Sequence, residues 1–111
     1  MPELHELDAR SNEITEIPMS LSACEKLEHL NLGRNKIAEI PDTLIAGFAH
    51  LRELYLYMNK LESVPSSLTT LACLSKLSLS KNNIKTLPES LGDLSRLEEL
   101  YVNGNAKVSS S

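Results

Sequence analysis

The sequence predicts an α/β protein built as a right-handed solenoid. About five short parallel strands line its concave face, and short helical, 3-10 or irregular segments return along its convex side. Three observations predict this. Asn12, Asn35, Asn59, Asn82 and Asn105 are separated by 23, 24, 23 and 23 residues. Pro18, Pro41, Pro65 and Pro88 keep the same step, each six residues after one of those asparagines. Leucine supplies 21 of the 111 residues, with no Trp and a single Phe, so the core has to be assembled from many small, similar contacts. Two ladders in register define a tandem repeat with units 4–26, 27–50, 51–73, 74–96 and a partial 97–108. These units form one predicted domain, 1–108, followed by the tail 109–111.

Each unit reads L-x-x-L-x-(L/A/V)-x-x-N-x-(I/L)-x-x-(I/V/L)-P-x-x-L. The alternation in Leu30-x-Leu32, Leu54-x-Leu56, Leu77-x-Leu79 and Leu100-x-Val102 turns one side of a short strand inward and the other outward. Stacked units pair these strands in parallel at about 4.8 Å. The asparagine at position nine ends the strand, and its amide both donates and accepts. Beyond it, Ile14, Ile37, Leu61 and Ile84 point inward, and Ile17, Ile40, Val64 and Leu87 do so immediately before each proline. Proline has no N–H and a fixed φ, which suits the start of a return segment and not a central strand. The pairs Leu21/Cys24, Leu44/Phe48, Leu68/Leu71 and Leu91/Leu94 are spaced by three or four, as a helical turn requires. Phe48 is expected to absorb the extra residue of the second unit.

The segments LNLGRNKIAEIPDTL, LYLYMNKLESVPSSL and LSLSKNNIKTLPESL resemble leucine-rich repeats, in particular the 23-residue class of intracellular Ras-suppressor-like and Scribble-like proteins and their plant counterparts. The resemblance covers nearly the whole chain. It implies a non-catalytic protein-interaction module, and an asparagine bonded to neighbouring backbone inside the solenoid. The 24-residue second unit, with IPDTLIAGFAHL, leans toward receptor-type repeats.

A net charge of −4 with 23% charged residues describes an ordinary solvated surface, not a nucleic-acid clamp or a polybasic anchor. No apolar run approaches the roughly 20 residues of a membrane span. Met1-Pro2-Glu3-Leu4 lacks the regions of a secretory signal, so the chain reads as cytoplasmic. Cys24 and Cys73 fall two strand spacings apart, about 10 Å, too far for a disulfide, and are expected as free, mostly buried thiols. His5, His29 and His50 occupy different repeat positions and form no metal-ligand pattern. Gly33, Gly47, Gly92 and Gly104 fit no phosphate-binding frame, so no cofactor is expected. An open arc offers no cavity for a nucleophile and its base, and Ser78 and Ser80 read as small solvent-facing strand residues. The ends look poorly capped. Few residues precede Leu4, and Lys107 stands where other units carry Ile or Leu, which leaves self-association through the ends open.

Positions three, five and seven of each unit point outward from the strand. All three tyrosines of the chain, Tyr55, Tyr57 and Tyr101, fall there. Tyrosine is enriched at interface hot spots, and Met58 at position eight adds apolar surface. The candidate protein-binding face therefore comprises Tyr55, Tyr57, Met58 and Tyr101 with a polar surround of His29, Asn31, Arg34, Glu53, Lys76 and Asn103. Gly33, beside Tyr57 on an adjacent strand, is expected to leave a shallow depression for a partner side chain. Other functions fit the same sequence: a structural or assembly element, a regulatory subunit of an enzyme such as a phosphatase, kinase or small GTPase, or a fragment of a larger leucine-rich repeat protein.

Overall fold

The computed structural model describes residues 4–18, 21, 23–45, 47–85, 87, 94 and 96–105. Pro88, Leu91 and Gly92 of the fourth return segment, Lys107 and the tail 109–111 lie outside the described residues. Five three-residue strands form one parallel sheet in chain order: β1 (Glu6–Asp8), β2 (His29–Asn31), β3 (Glu53–Tyr55), β4 (Lys76–Ser78) and β5 (Glu99–Tyr101). The register joins equal repeat positions, so Leu7, Leu30, Leu54, Leu77 and Leu100 stand side by side. This is the leucine-rich repeat solenoid that the asparagine and proline ladders predict, with about four turns.

The leucine stacks make the core. Leu27, Leu51 and Leu74 at position one are wholly buried, as are Leu32, Leu56 and Leu79 and then Ile37, Leu61 and Ile84 beyond the strands. Each such side chain contributes roughly 1.5–3 kcal/mol by leaving water. Burial weakens at both ends of the array, where Leu4, Leu7, Ile14, Leu97 and Val102 are only partly covered and Leu100 is 39% exposed.

The two best-described return segments differ, and unit length explains it. In the 24-residue second unit, Pro41 is followed by a short α-helix, α1 (Asp42–Ile45), in which the Ile45 N–H reaches back to the Pro41 carbonyl. In the 23-residue third unit, Ser66–Thr70 forms a 3-10 helix, and the Leu68 N–H donates to the Pro65 carbonyl at 3.0 Å. One added residue lets the chain take the wider helical turn. Phe48 fills the space beneath it and is 1% exposed, as expected; Ile45, absent from the spacing argument, is buried equally well. The Ser67 hydroxyl donates to Asp42 Oδ1 at 2.6 Å and ties the two returns together. Both cysteines are free, but only Cys24 joins the core; Cys73 is half-buried, because it lies just outside the leucine stack.

The asparagine ladder acts between units. Asn59 Oδ1 accepts the Ile37 N–H at 3.0 Å, while its Nδ2 donates to the carbonyls of Leu32, Leu56 and Tyr57. Asn82 does the same one unit later, accepting from Leu61 N–H and donating to the Leu56, Leu79 and Ser80 carbonyls. Asn35, Asn59 and Asn82 are 6%, 7% and 6% exposed, so each amide satisfies backbone groups that water does not reach.

A second regularity sits immediately before these asparagines and escapes sequence inspection. Ser11, Arg34, Met58 and Lys81, all at position eight, have φ of 60, 58, 55 and 57 degrees, and Gly104 has φ of 75 degrees. Every strand therefore ends in a left-handed residue, which costs a non-glycine residue roughly 1–2 kcal/mol. The asparagine amide holds that turn by bonding the carbonyls on either side of the strand end.

Candidate protein-binding face

The strands carry the outward residues to the concave face in fixed rows. Glu6, His29, Glu53, Lys76 and Glu99 form one row, and Asp8, Asn31, Tyr55, Ser78 and Tyr101 the next. The first row alternates carboxylates with His29 and Lys76. His29 Nδ1 lies 3.3 Å from Glu53 Oε1, and Lys76 Nζ lies 3.6 Å from Glu99 Oε2. Such half-exposed pairs are worth well under about 1 kcal/mol each, so they set side-chain positions more than stability.

The two rows are joined along the strands. Tyr55 donates its hydroxyl to Glu53 Oε1 at 2.6 Å, and Tyr101 donates to Glu99 Oε1. The residues two apart on one strand share a face, which is why this bond repeats on β3 and β5. The Tyr55 bond, helped by His29, holds the Glu53 carboxyl below its ordinary range although burial opposes this. Burial, together with the neighbouring Glu53 carboxylate, pushes the Tyr55 hydroxyl up to about 12. The bond to Glu99 raises that of Tyr101. Both phenols therefore remain protonated donors and both rings are anchored along their own strands. Tyr101 is 47% exposed.

Tyr57 is placed differently from the expectation. A Cβ built on Gly33 would stand 2.3 Å from Tyr57 Cζ, so the ring lies directly over Gly33. The depression predicted at Gly33 is filled by the protein's own tyrosine, and Gly33 is buried. Only a glycine admits that close approach. Gly33→Ala is expected to drive the ring outward and lower stability by about 1–2 kcal/mol. Adding Tyr57→Ser to it should restore most of the loss in a thermal melt; a double variant as unstable as the single one would place the strain elsewhere.

Ser78 also departs from the sequence reading. It faces the concave side but is 7% exposed, because Tyr55 and Tyr101 rise on either side of it. Ser80 donates to Asn103 Oδ1 at 2.7 Å on the adjacent strand. Asn31 Oδ1 accepts the Gly33 N–H at 3.0 Å, which shapes the turn at the end of β2. Met58 is 38% exposed and Arg34 is exposed, both on the rim where the strands turn. A hollow of about 130 Å³ lies on the other side of Tyr55, lined by Glu6, Asp8, His29 and Asn31. The structure thus brings Tyr55, Tyr101, His29, Asn31, Glu53, Lys76 and Asn103 onto one surface, sets Met58 and Arg34 along its rim, and turns Tyr57 inward onto Gly33. Among the described residues no group of three His, Cys, Asp or Glu could hold a metal, and no helix is long and apolar enough to cross a membrane.

Comparison with known proteins agrees with this geometry. The leucine rich repeat family model matches residues 2–61 and 58–106. The chain belongs to the leucine-rich repeat family, whose members and fold are typically non-catalytic interaction modules. Among curated proteins it is 36% identical over 62 residues to a probable serine/threonine-protein kinase of Dictyostelium discoideum, and 44% identical over 62 residues to keratocan of Danio rerio. Each match takes in 56% of this chain, but only 5% of the kinase and 17% of keratocan. A leucine-rich repeat protein of Leptospira interrogans superposes with a TM-score of 0.89 at 30% identity, over 96% of this chain and 28% of its own. The plant peptide hormone receptor RGFR1 in complex with RGF2 gives 0.84 at 25% identity, over 94% of this chain and 17% of that one. The BIR3–SERK2 complex from Arabidopsis thaliana gives 0.76 at 33% identity, covering 84% and 50%. These relatives include a peptide hormone receptor as well as a probable kinase, so the family is established at the level of the leucine-rich repeat and not of its 23-residue intracellular class.

Proposed function

We propose that this chain is a non-catalytic module that binds a protein partner on the concave sheet, with Tyr55 and Tyr101 as its anchors. The observation that carries the reading is the pair of hydroxyl-to-carboxylate bonds that fix both rings upright on an open face. An aromatic side chain already held in place loses little entropy when a partner covers it. Two structural neighbours were solved as protein complexes, which supports a protein partner for an array of this shape. Glu53, Lys76, His29 and Asn103 surround the anchors and contribute orientation and association rate more than affinity. A cytoplasmic setting belongs to the same proposal and rests on the repeat length and the free thiols Cys24 and Cys73.

Tyr55→Ala with Tyr101→Ala is expected to weaken partner binding by at least about 2 kcal/mol, roughly thirtyfold, while the melting transition stays nearly unchanged. Tyr57 is left intact in this variant because it packs on Gly33. Affinity capture from the native lysate followed by titration of the captured protein measures the loss. Equal capture by the wild type and the folded variant would remove the concave face as the binding site.

A further inference from the structure

The rim beside the concave face carries three cations that pair with no carboxylate among the described residues. The chain has a net charge of −4, yet the residues flanking the position-eight turn in the three central units are Arg34 and Lys36, Met58 and Lys60, and Lys81 and Asn83. Lys36 Nζ lies 3.6 Å from Glu13, whereas Arg34, Lys60 and Lys81 have no acidic partner among the described residues. All three are exposed. The left-handed backbone shared by Arg34, Met58 and Lys81 gives these side chains a common exit direction from consecutive units. The result is an ordered row of cation, thioether and cation, with Met58 38% exposed at its centre.

The spacing of that row selects a conformation for what covers it. Neighbouring units are about 4.8 Å apart, and the two cations about 9.6 Å. In a helix, three to four residues rise about 4.5–6 Å and seven rise about 10.5 Å, with all of these side chains on one face. In an extended segment the same face recurs every two residues, at about 6.6 Å, and falls out of step with the row. We propose that the rim formed by Arg34, Met58 and Lys81 docks an acidic amphipathic helix of the protein partner, laid across the strands. An apolar residue of that helix rests on Met58, and carboxylates about one turn before and after it meet Arg34 and Lys81. Lys60 stands beside Met58 in the same unit and adds to the field that attracts an acidic segment. This inference rests on the reading that the chain binds a protein partner at this face, and it specifies the chemistry of that partner.

The test uses the intact chain and a synthetic, alanine-based helical peptide with leucine at one position and glutamates four residues before and three after it. One control peptide carries lysine in place of both glutamates, and another has the same composition with the glutamates moved to the opposite helix face. Titration followed by amide resonances is expected to shift positions 34, 58 and 81 with the acidic peptide, and to weaken as salt is raised. Arg34→Glu with Lys81→Glu should lower its affinity about tenfold or more, and Met58→Ser should lower it several-fold. These residues are exposed, so the variants keep the wild-type melting transition. Equal binding of either control peptide, shifts confined to the sheet rows of Glu53 and Tyr55, or no binding of the acidic peptide would each overturn the helix assignment. The broader reading is scored separately. If the native partner is still captured by the Arg34→Glu, Lys81→Glu variant but lost by Tyr55→Ala with Tyr101→Ala, the concave face stands and the rim helix does not.

Discussion

Asn59→Ala is expected to destabilise the protein by about 3 kcal/mol in denaturant unfolding. The loss follows from its partners. The substitution leaves the Ile37 N–H without its acceptor and withdraws a donor from the Leu32, Leu56 and Tyr57 carbonyls, in a site that is 7% exposed. A methyl group fits the space but satisfies none of them. Asn12→Ala supplies the control, because the same amide at the first unit is exposed and, among the described residues, donates only to the Ala9 and Arg10 carbonyls. It should cost less than about 1 kcal/mol. Comparable losses at Asn12 and Asn59 would show that the inter-unit bonds are not what the ladder contributes.

Phe48→Ala should cost about as much or more, roughly 3–5 kcal/mol, by a different mechanism. The ring is 1% exposed and packs beneath α1, so its removal opens a cavity that the flanking Leu44, Ile45 and Leu51 cannot close without moving the longer second unit. Phe48→Leu should recover more than half of the loss, since it restores most of the apolar volume. Urea titration of the three proteins measures both changes, with an unchanged slope expected because the surface exposed on unfolding is the same. Near-equal stability of Phe48→Ala and the wild type would mean that the extra residue of the second unit is accommodated elsewhere.

The sheet and its register were legible in the sequence because both ladders repeat one spacing. A strand of three residues needs little more than Leu-x-Leu before an asparagine, and that pattern recurs five times, with Ala9 in the first unit and Val102 in the last standing for the second leucine. The return segments were legible as turns but not by type, because Leu44/Phe48 and Leu68/Leu71 differ by a single residue and only the backbone bonds to Pro41 and Pro65 distinguish α from 3-10. The outward tyrosines follow from period two. What period two does not contain is how a side chain leans. Tyr57 and Tyr55 sit two residues apart on the same face, yet one bends over Gly33 and the other bonds Glu53, and only the first has a glycine beneath it. The left-handed turn at position eight was invisible for a related reason. Of its five occupants only Gly104 advertises a positive φ; Ser11, Arg34, Met58 and Lys81 are held there by their neighbours.

That last arrangement separates two vocabularies within one repeat. A serine, an arginine, a methionine, a lysine and a glycine all take the same backbone shape at position eight, so the shape is dictated by the framework and the side chain is left free to vary. A library randomised at positions 11, 34, 58 and 81, excluding β-branched residues, which tolerate a positive φ worst, would change what the rim recognises and leave the melting temperature clustered. Selection for a new partner could then proceed on this edge without first having to be rescued by stabilising mutations in the core.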